Sequence, residues 1–140
     1  MNRLTVLACT VLSICALGVA AEDQGKGYSV SQGGYTLQLE PLQALQLNQL
    51  HSWRAVLSRE TPSAQWPQLQ REQLMLSGGM PAHGHGLPTQ PKVSAIESRS
   101  ETELQFVIRG LKFQMWGNWV LGVQLPEMAQ PLQVSFELAP

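Results

Sequence analysis

Residues 104–113 read Leu-Gln-Phe-Val-Ile-Arg-Gly-Leu-Lys-Phe. Up to Ile108, large apolar side chains recur at every second position, which is typical of a β-strand with one buried face. At Gly110 the phase changes, because Leu111 and Phe113 continue the apolar series at odd positions. A glycine at such a change predicts a β-bulge or a tight bend within the strand.

The same period of two recurs along most of the chain. It predicts further strands at 35–39, 47–58, 73–76, 119–125 and 132–138. No window has a sustained helical period, although 42–50 is compatible with a turn of helix. About seven short strands separated by turn residues predict an all-β fold, an antiparallel β-sandwich. The proline-rich stretch 81–91 predicts a long ordered loop.

The N-terminus divides into two predicted segments before the domain. Residues 1–21 have a basic start, an apolar stretch and small residues at the end, which predicts a signal peptide cleaved after Ala21 or Ala20. Both cysteines lie in this segment, and isoleucine before Cys15 fits a lipoprotein signal poorly. Residues 22–34 are expected to form a flexible leader, and 35–140 the folded domain.

Composition excludes several classes of function for the mature chain. Without cysteine after Cys15, it has no disulfide and no thiolate ligand. The full chain has a formal net charge of −1, and this charge and the lack of a basic stripe argue against nucleic acid as a partner. No later apolar run reaches the length of a membrane span, so we expect no integral membrane segment after signal cleavage. No nucleophile, phosphate-binding or dinucleotide motif is present, so we expect a protein that is not an enzyme.

The stretch 78–86, Gly-Gly-Met-Pro-Ala-His-Gly-His-Gly, contains the candidate metal ligands. In an extended segment His83 and His85 point to the same side, so both imidazoles are expected to reach one ion. The nearest further donors are thioethers, Met80 first and Met115 second, and this donor set favours copper over zinc. The alternative is a structural turn in which the imidazoles bond backbone carbonyls and Met115 fills the core.

Two other side chains have competing interpretations. By parity, His51 shares a face with Trp53, so it is expected to be a hydrogen-bonded structural residue; the alternative is a third metal ligand. Trp53 and Trp119 occupy expected core positions. Trp116, beside a glycine, is the candidate for an exposed aromatic residue on a partner surface.

Residues 79–91, Gly-Met-Pro-Ala-His-Gly-His-Gly-Leu-Pro-Thr-Gln-Pro, resemble the signature loop of the YtkA-like domain family, small exported bacterial proteins often grouped with FixH-like proteins. Residues 110–119 resemble the second block of that family, and 51–53 its first strand. The resemblance covers 35–138. Relatives commonly have histidine where this chain has Gln114 and proline where it has Trp116, so a ligand of the family is replaced here if that histidine binds metal.

The resemblance implies an immunoglobulin-like β-sandwich in the periplasm, with a role in copper handling or respiratory oxidase maturation. We therefore expect a non-enzymatic protein that binds or carries copper through His83, His85 and a methionine, Met80 or Met115. Its protein partner would be another periplasmic protein or a membrane complex. The alternative is a metal-free protein–protein interaction module in which the Gly-His-Gly loop is structural.

Overall fold

The structure is a computed structural model that describes residues 26–140. These residues contain nine β-strands. The predicted signal peptide lies outside the described residues. The strands are β1 (Tyr28–Gln32), β2 (Tyr35–Pro41), β3 (Leu50–Arg59), β4 (Met75–Met80), β5 (His85–Gly86), β6 (Lys92–Arg99), β7 (Glu103–Lys112), β8 (Gly117–Gln124) and β9 (Leu132–Leu138). Short 3-10 helices lie at Trp66–Gln68, Arg71–Gln73 and Pro81–His83. The helical turn considered for 42–50 is not formed; that segment is a loop in which the Asn48 amide donates to the Phe113 carbonyl.

Two antiparallel sheets pack against each other as a sandwich. One has the order β1-β2-β3-β7-β6 and the other β5-β4-β8-β9. Lettering β2, β3, β4, β6, β7, β8 and β9 from A to G gives the sheets A-B-E-D and C-F-G. That is the strand order of a constant-type immunoglobulin domain, with β1 added outside β2 and β5 outside β4. The all-β sandwich predicted from the sequence is confirmed.

The number of strands is nine, so the prediction of about seven is wrong. β1 lies in the segment predicted as a flexible leader, because Tyr28 and Val30 pack against the core and β1 pairs with β2 along its whole length. Gly33 and Gly34 close this hairpin with φ of +61° and +80°, values that glycine adopts without strain. β5 lies in the predicted loop 81–91.

The irregularity predicted at Gly110 is a β-bulge. β7 pairs with β3 in register up to Arg109 opposite Ser52, and pairing resumes with Leu111 opposite His51. Gly110 is left unpaired with a φ of +84°. Ile108 and Leu111 are three positions apart, so in a regular strand they would point to opposite faces. The bulge lets both side chains reach the core.

Phe113 lies at the centre of the aromatic core. Its ring centroid is 5.2 Å from that of Trp119, 5.4 Å from Phe136 and 6.2 Å from Trp53, with edge-on geometry in each pair. These four side chains are buried, which confirms the core positions predicted for Trp53 and Trp119. Tyr28 packs on Trp53 and Phe136 from β1, and burial raises the pKa of its phenol.

A second aromatic cluster fixes the long connection between β3 and β4. The Arg59 guanidinium lies 5.3 Å from the Tyr35 ring centroid and 5.1 Å from that of Trp66. The Trp66 indole donates a 2.9 Å hydrogen bond to Glu127, whose carboxylate is 3.7 Å from Arg59. This cluster ties the connection to the turn between β8 and β9, at the end of the sandwich where β4 begins.

Candidate functional site

The histidine loop, residues 80–86, reverses the chain direction after β4. Pro81 begins a single 3-10 turn, as its fixed φ favours, and the Gly84 amide closes the turn by donating to the Pro81 carbonyl. Gly84 is left-handed, with φ of +63°. The chain then returns as β5, with His85 opposite Met80 and Gly86 opposite Gly79.

Two glycines before the loop are required by close backbone contacts. A Cβ built on Gly79 would overlap the carbonyl oxygen of His85, so only glycine lets β5 approach β4 at this point. A Cβ on Gly78 would lie 2.8 Å from the Val120 carbonyl oxygen and 2.9 Å from a Leu87 methyl group. These glycines shape the hairpin that carries the histidines.

His83 and His85 are both exposed, and their rings lie side by side. The ring centroids are 6.4 Å apart and the planes differ by 20°. The extended path predicted for 83–85 is wrong, because a 3-10 turn ends at His83 and Gly84 is left-handed. This bend places the two rings beside each other. Neither imidazole is hydrogen-bonded to any residue in 26–140, so the carbonyl-bonded turn of the alternative interpretation is not formed.

The separation of the two rings can be compared with what one metal ion allows. A metal–imidazole bond of about 2.0–2.1 Å puts the ion about 3.2 Å from the ring centre, so imidazoles on opposite sides of one ion have centres about 6.4 Å apart. The observed centroid distance of 6.4 Å equals this upper limit. The centroid distance is therefore compatible with both exposed imidazoles binding one ion.

The two candidate methionines lie in different surroundings. Met80 is only 1% exposed, and its Cε packs beside Gly117 at the start of β8, where a Cβ would be 3.0 Å away. Met115 is 37% exposed in the connection between β7 and β8, and its carbonyl accepts a 3.0 Å bond from the Trp119 indole. Met80 is therefore part of the core, and Met115 has the more exposed thioether.

His51 is a structural residue, as its position beside Trp53 on β3 indicated. It is 2% exposed, its Nε2 donates a 2.9 Å bond to the Gln46 carbonyl, and its ring stacks on Phe113 at 5.9 Å. It belongs to the five-stranded sheet, whereas β5 is the outer strand of the other sheet. Within residues 26–140 no group of three or more histidine, cysteine, aspartate or glutamate side chains surrounds a common point.

An exposed apolar end accompanies the histidine loop. Large exposed apolar side chains lie where β2 and β7 end and β3 and β8 begin. We call this surface the apolar end; it consists of Leu42, Leu50, Met115 and Trp116. Leu50 is 63% exposed and Trp116 43%. The 3-10 turn of the histidine loop lies against β8 at this same end. The exposure considered for Trp116 is observed, but nothing in the local pattern distinguished Leu50 from a buried strand residue.

Two depressions on the surface of the described residues lie on either side of β4. The one beside the histidine loop, about 310 Å³, is lined by four glycines and by Ser77, Met80, Pro81, His85, Val120 and Gln133, none of them a carboxylate. A wider one between β4 and β6, about 650 Å³, has Arg71 and Glu72 at its rim. Those two form an exposed 2.8 Å ion pair, and the hydrogen bond from Arg71 lowers the pKa of Glu72.

A scan of the chain against models of known protein families finds no match. A search of curated proteins finds no similar sequence either. Among residues 26–140, no helix is long and apolar enough to cross a membrane.

Proposed function

We propose that this protein is an exported, non-enzymatic β-sandwich that binds copper through His83 and His85 and carries it in the periplasm. The observation that supports this most directly is the pairing of two exposed imidazoles with ring centroids 6.4 Å apart. A tight hairpin holds them, because Gly79 permits close contact between β4 and β5. Ligands held by packed backbone are better positioned than ligands on a free loop.

The choice of copper follows from the donors available around the loop. Imidazole suits several late transition metals, and thioether sulfur favours Cu(I). Met115 is the better third ligand of the two methionines, because its exposed side chain moves without opening the core. Membership of the YtkA-like domain family, proposed from the residues of the loop, agrees with copper handling or oxidase maturation as the setting.

The test uses residues 22–140 titrated separately with Cu(I) and Cu(II) in competition with a chromophoric chelator. His83→Ala/His85→Ala should weaken binding at least about a hundredfold, since both nitrogen donors are lost. Gln90→Ala, an exposed polar residue of the neighbouring loop, is the matched control and should bind as the wild type does. Equal affinities for the wild type and the double-histidine variant would refute copper binding at this site.

A second variant tests the family ligand. Gln114 is half-buried one residue before Met115, so Gln114→His places an imidazole directly before the second candidate thioether in the chain. If relatives use a histidine there, this variant should bind copper more tightly than the wild type. An unchanged affinity would remove the family ligand from the proposal without affecting His83 and His85.

The second candidate function is a metal-free interaction module, and the exposed apolar end favours it. An exposed tryptophan next to exposed leucine and methionine is typical of a contact surface. This function predicts that Trp116→Ala abolishes capture of a partner protein, while His83→Ala/His85→Ala leaves capture unchanged. The reverse pattern would support the metal site.

A further inference from the structure

The histidine pair is an open, incomplete coordination site on one copy of the chain. It provides two nitrogen donors, and no third imidazole or carboxylate of residues 26–140 joins them. Cu(II) in proteins is commonly held by four nitrogen or oxygen donors in one plane. The two exposed imidazoles supply at most two of these four donors, which leaves the remaining positions free.

The surroundings of the loop leave room for a second molecule. β5 is the outermost strand of its sheet, so no strand within residues 26–140 covers its outer edge. A Cβ built on Gly84 would have no atom within 4 Å, which shows that the tip between the two histidines faces open space. A second chain can therefore approach the imidazoles without displacing any described part of the first.

The charge of this region favours a second copy over a charged partner. Neither 77–91, which contains the histidine loop, nor 113–126, which contains Met115 and Trp116, has an aspartate, glutamate, lysine or arginine. Two copies can bring these surfaces together without placing like charges opposite each other. In a two-fold pair, the exposed Trp116 of each copy would also be covered.

We propose that Cu(II) is bound between two copies of this chain, each contributing His83 and His85; this inference rests on the proposed copper site. Two copies supply four imidazole nitrogens to one ion, which satisfies the donor number that a single copy lacks. Cu(I), which accepts two donors, needs only one copy. The oxidation state of the metal then sets the oligomeric state.

Sedimentation velocity of residues 22–140 during a Cu(II) titration tests this inference. We expect a dimer to be complete at one Cu(II) per two chains, and excess chelator to restore the monomer. Electron paramagnetic resonance should show superhyperfine splitting from four nitrogens, two from each copy. Cu(I) should bind one per monomer without a change in mass.

Variants separate the two levels of the proposal. His83→Ala and His85→Ala should each remain monomeric with Cu(II), whereas Trp116→Ala should still dimerise but need at least a fivefold higher protein concentration. A Cu(II) complex of one ion per monomer would overturn the dimer and leave the copper site standing. Binding of Cu(I) alone would likewise overturn only the dimer, whereas failure of both ions to bind would overturn both levels.

Discussion

Replacing Gly79 with alanine should damage the histidine site while leaving the rest of the sandwich folded. The added Cβ would overlap the carbonyl oxygen of His85 and lie 3.0 Å from the Cα of Gly86. Both are backbone atoms, so neither can rotate away. β5 must then separate from β4, and the two residue pairs that join them are lost.

The size of the effect follows from those lost contacts. Two backbone hydrogen bonds at about 0.5–1.5 kcal/mol each give a fall of about 1–3 kcal/mol in the free energy of unfolding. β5 lies at the edge of its sheet, so β4, β8 and β9 keep their pairing. Copper affinity should fall about ten- to hundredfold, the range seen when residues that orient metal ligands are changed.

A matched control distinguishes this mechanism from general destabilisation. Gly33→Ala places alanine at φ of +61° with no atom within 4 Å of its Cβ, in the β1–β2 hairpin. It should cost about 1–2 kcal/mol through backbone strain alone. Urea unfolding followed by tryptophan fluorescence measures stability, and chelator competition measures copper affinity. Unchanged copper affinity in Gly79→Ala, or an equal loss in Gly33→Ala, would refute the reasoning.

Four further predictions concern stability, measured by urea unfolding. Arg59→Ala should lower the free energy of unfolding by about 2 kcal/mol, because its two aromatic contacts are partly desolvated. Arg54→Ala removes an exposed 3.9 Å ion pair and should lower it by no more than about 0.5 kcal/mol. Similar losses of stability in the two variants would contradict this. Trp66→Phe removes the hydrogen bond of the indole and should cost about 1 kcal/mol. Phe113→Ala should cost about 3–5 kcal/mol by opening a cavity in the aromatic core, and a loss below 2 kcal/mol, roughly, would show that the core closes around it. Burial raises the pKa of Tyr28 in the folded state, so its contribution is complete below its unfolded pKa and is lost as pH rises past about 10; Tyr28→Phe should flatten this alkaline fall, and an unchanged slope would contradict it.

The fold could be predicted where strands have one fully buried face. β9 is the clearest example, since its residues alternate between buried and exposed along the whole strand. β6 could not be predicted in this way, because it is an edge strand with two register shifts and only Val93 fully buried. The sequence predicts a flexible leader where β1 lies, because the few apolar residues of β1 stand between glycines.

The sequence could indicate which residues form the candidate site, but not the backbone path that positions their side chains. Histidine and methionine identify donor chemistry directly, and their spacing suggested a shared direction. The actual path depends on a left-handed glycine and on the close approach of Gly79 to His85, which are contacts between strands that no local pattern records. The burial of Met80 likewise depends on its packing beside Gly117 and not on its neighbours in sequence.

The bulge at Gly110 has a consequence for how this chain can vary in length. Deleting Gly110 would let β7 run straight along β3, but every residue after it would change sides of the sheet. Phe113 would then face solvent, and Lys112 would point among the tryptophans. A one-residue gap should therefore be tolerated in the long connection 60–74, but not here. The unpaired glycine joins two halves of one strand, in which the core side chains stand at even positions before Gly110 and at odd positions after it.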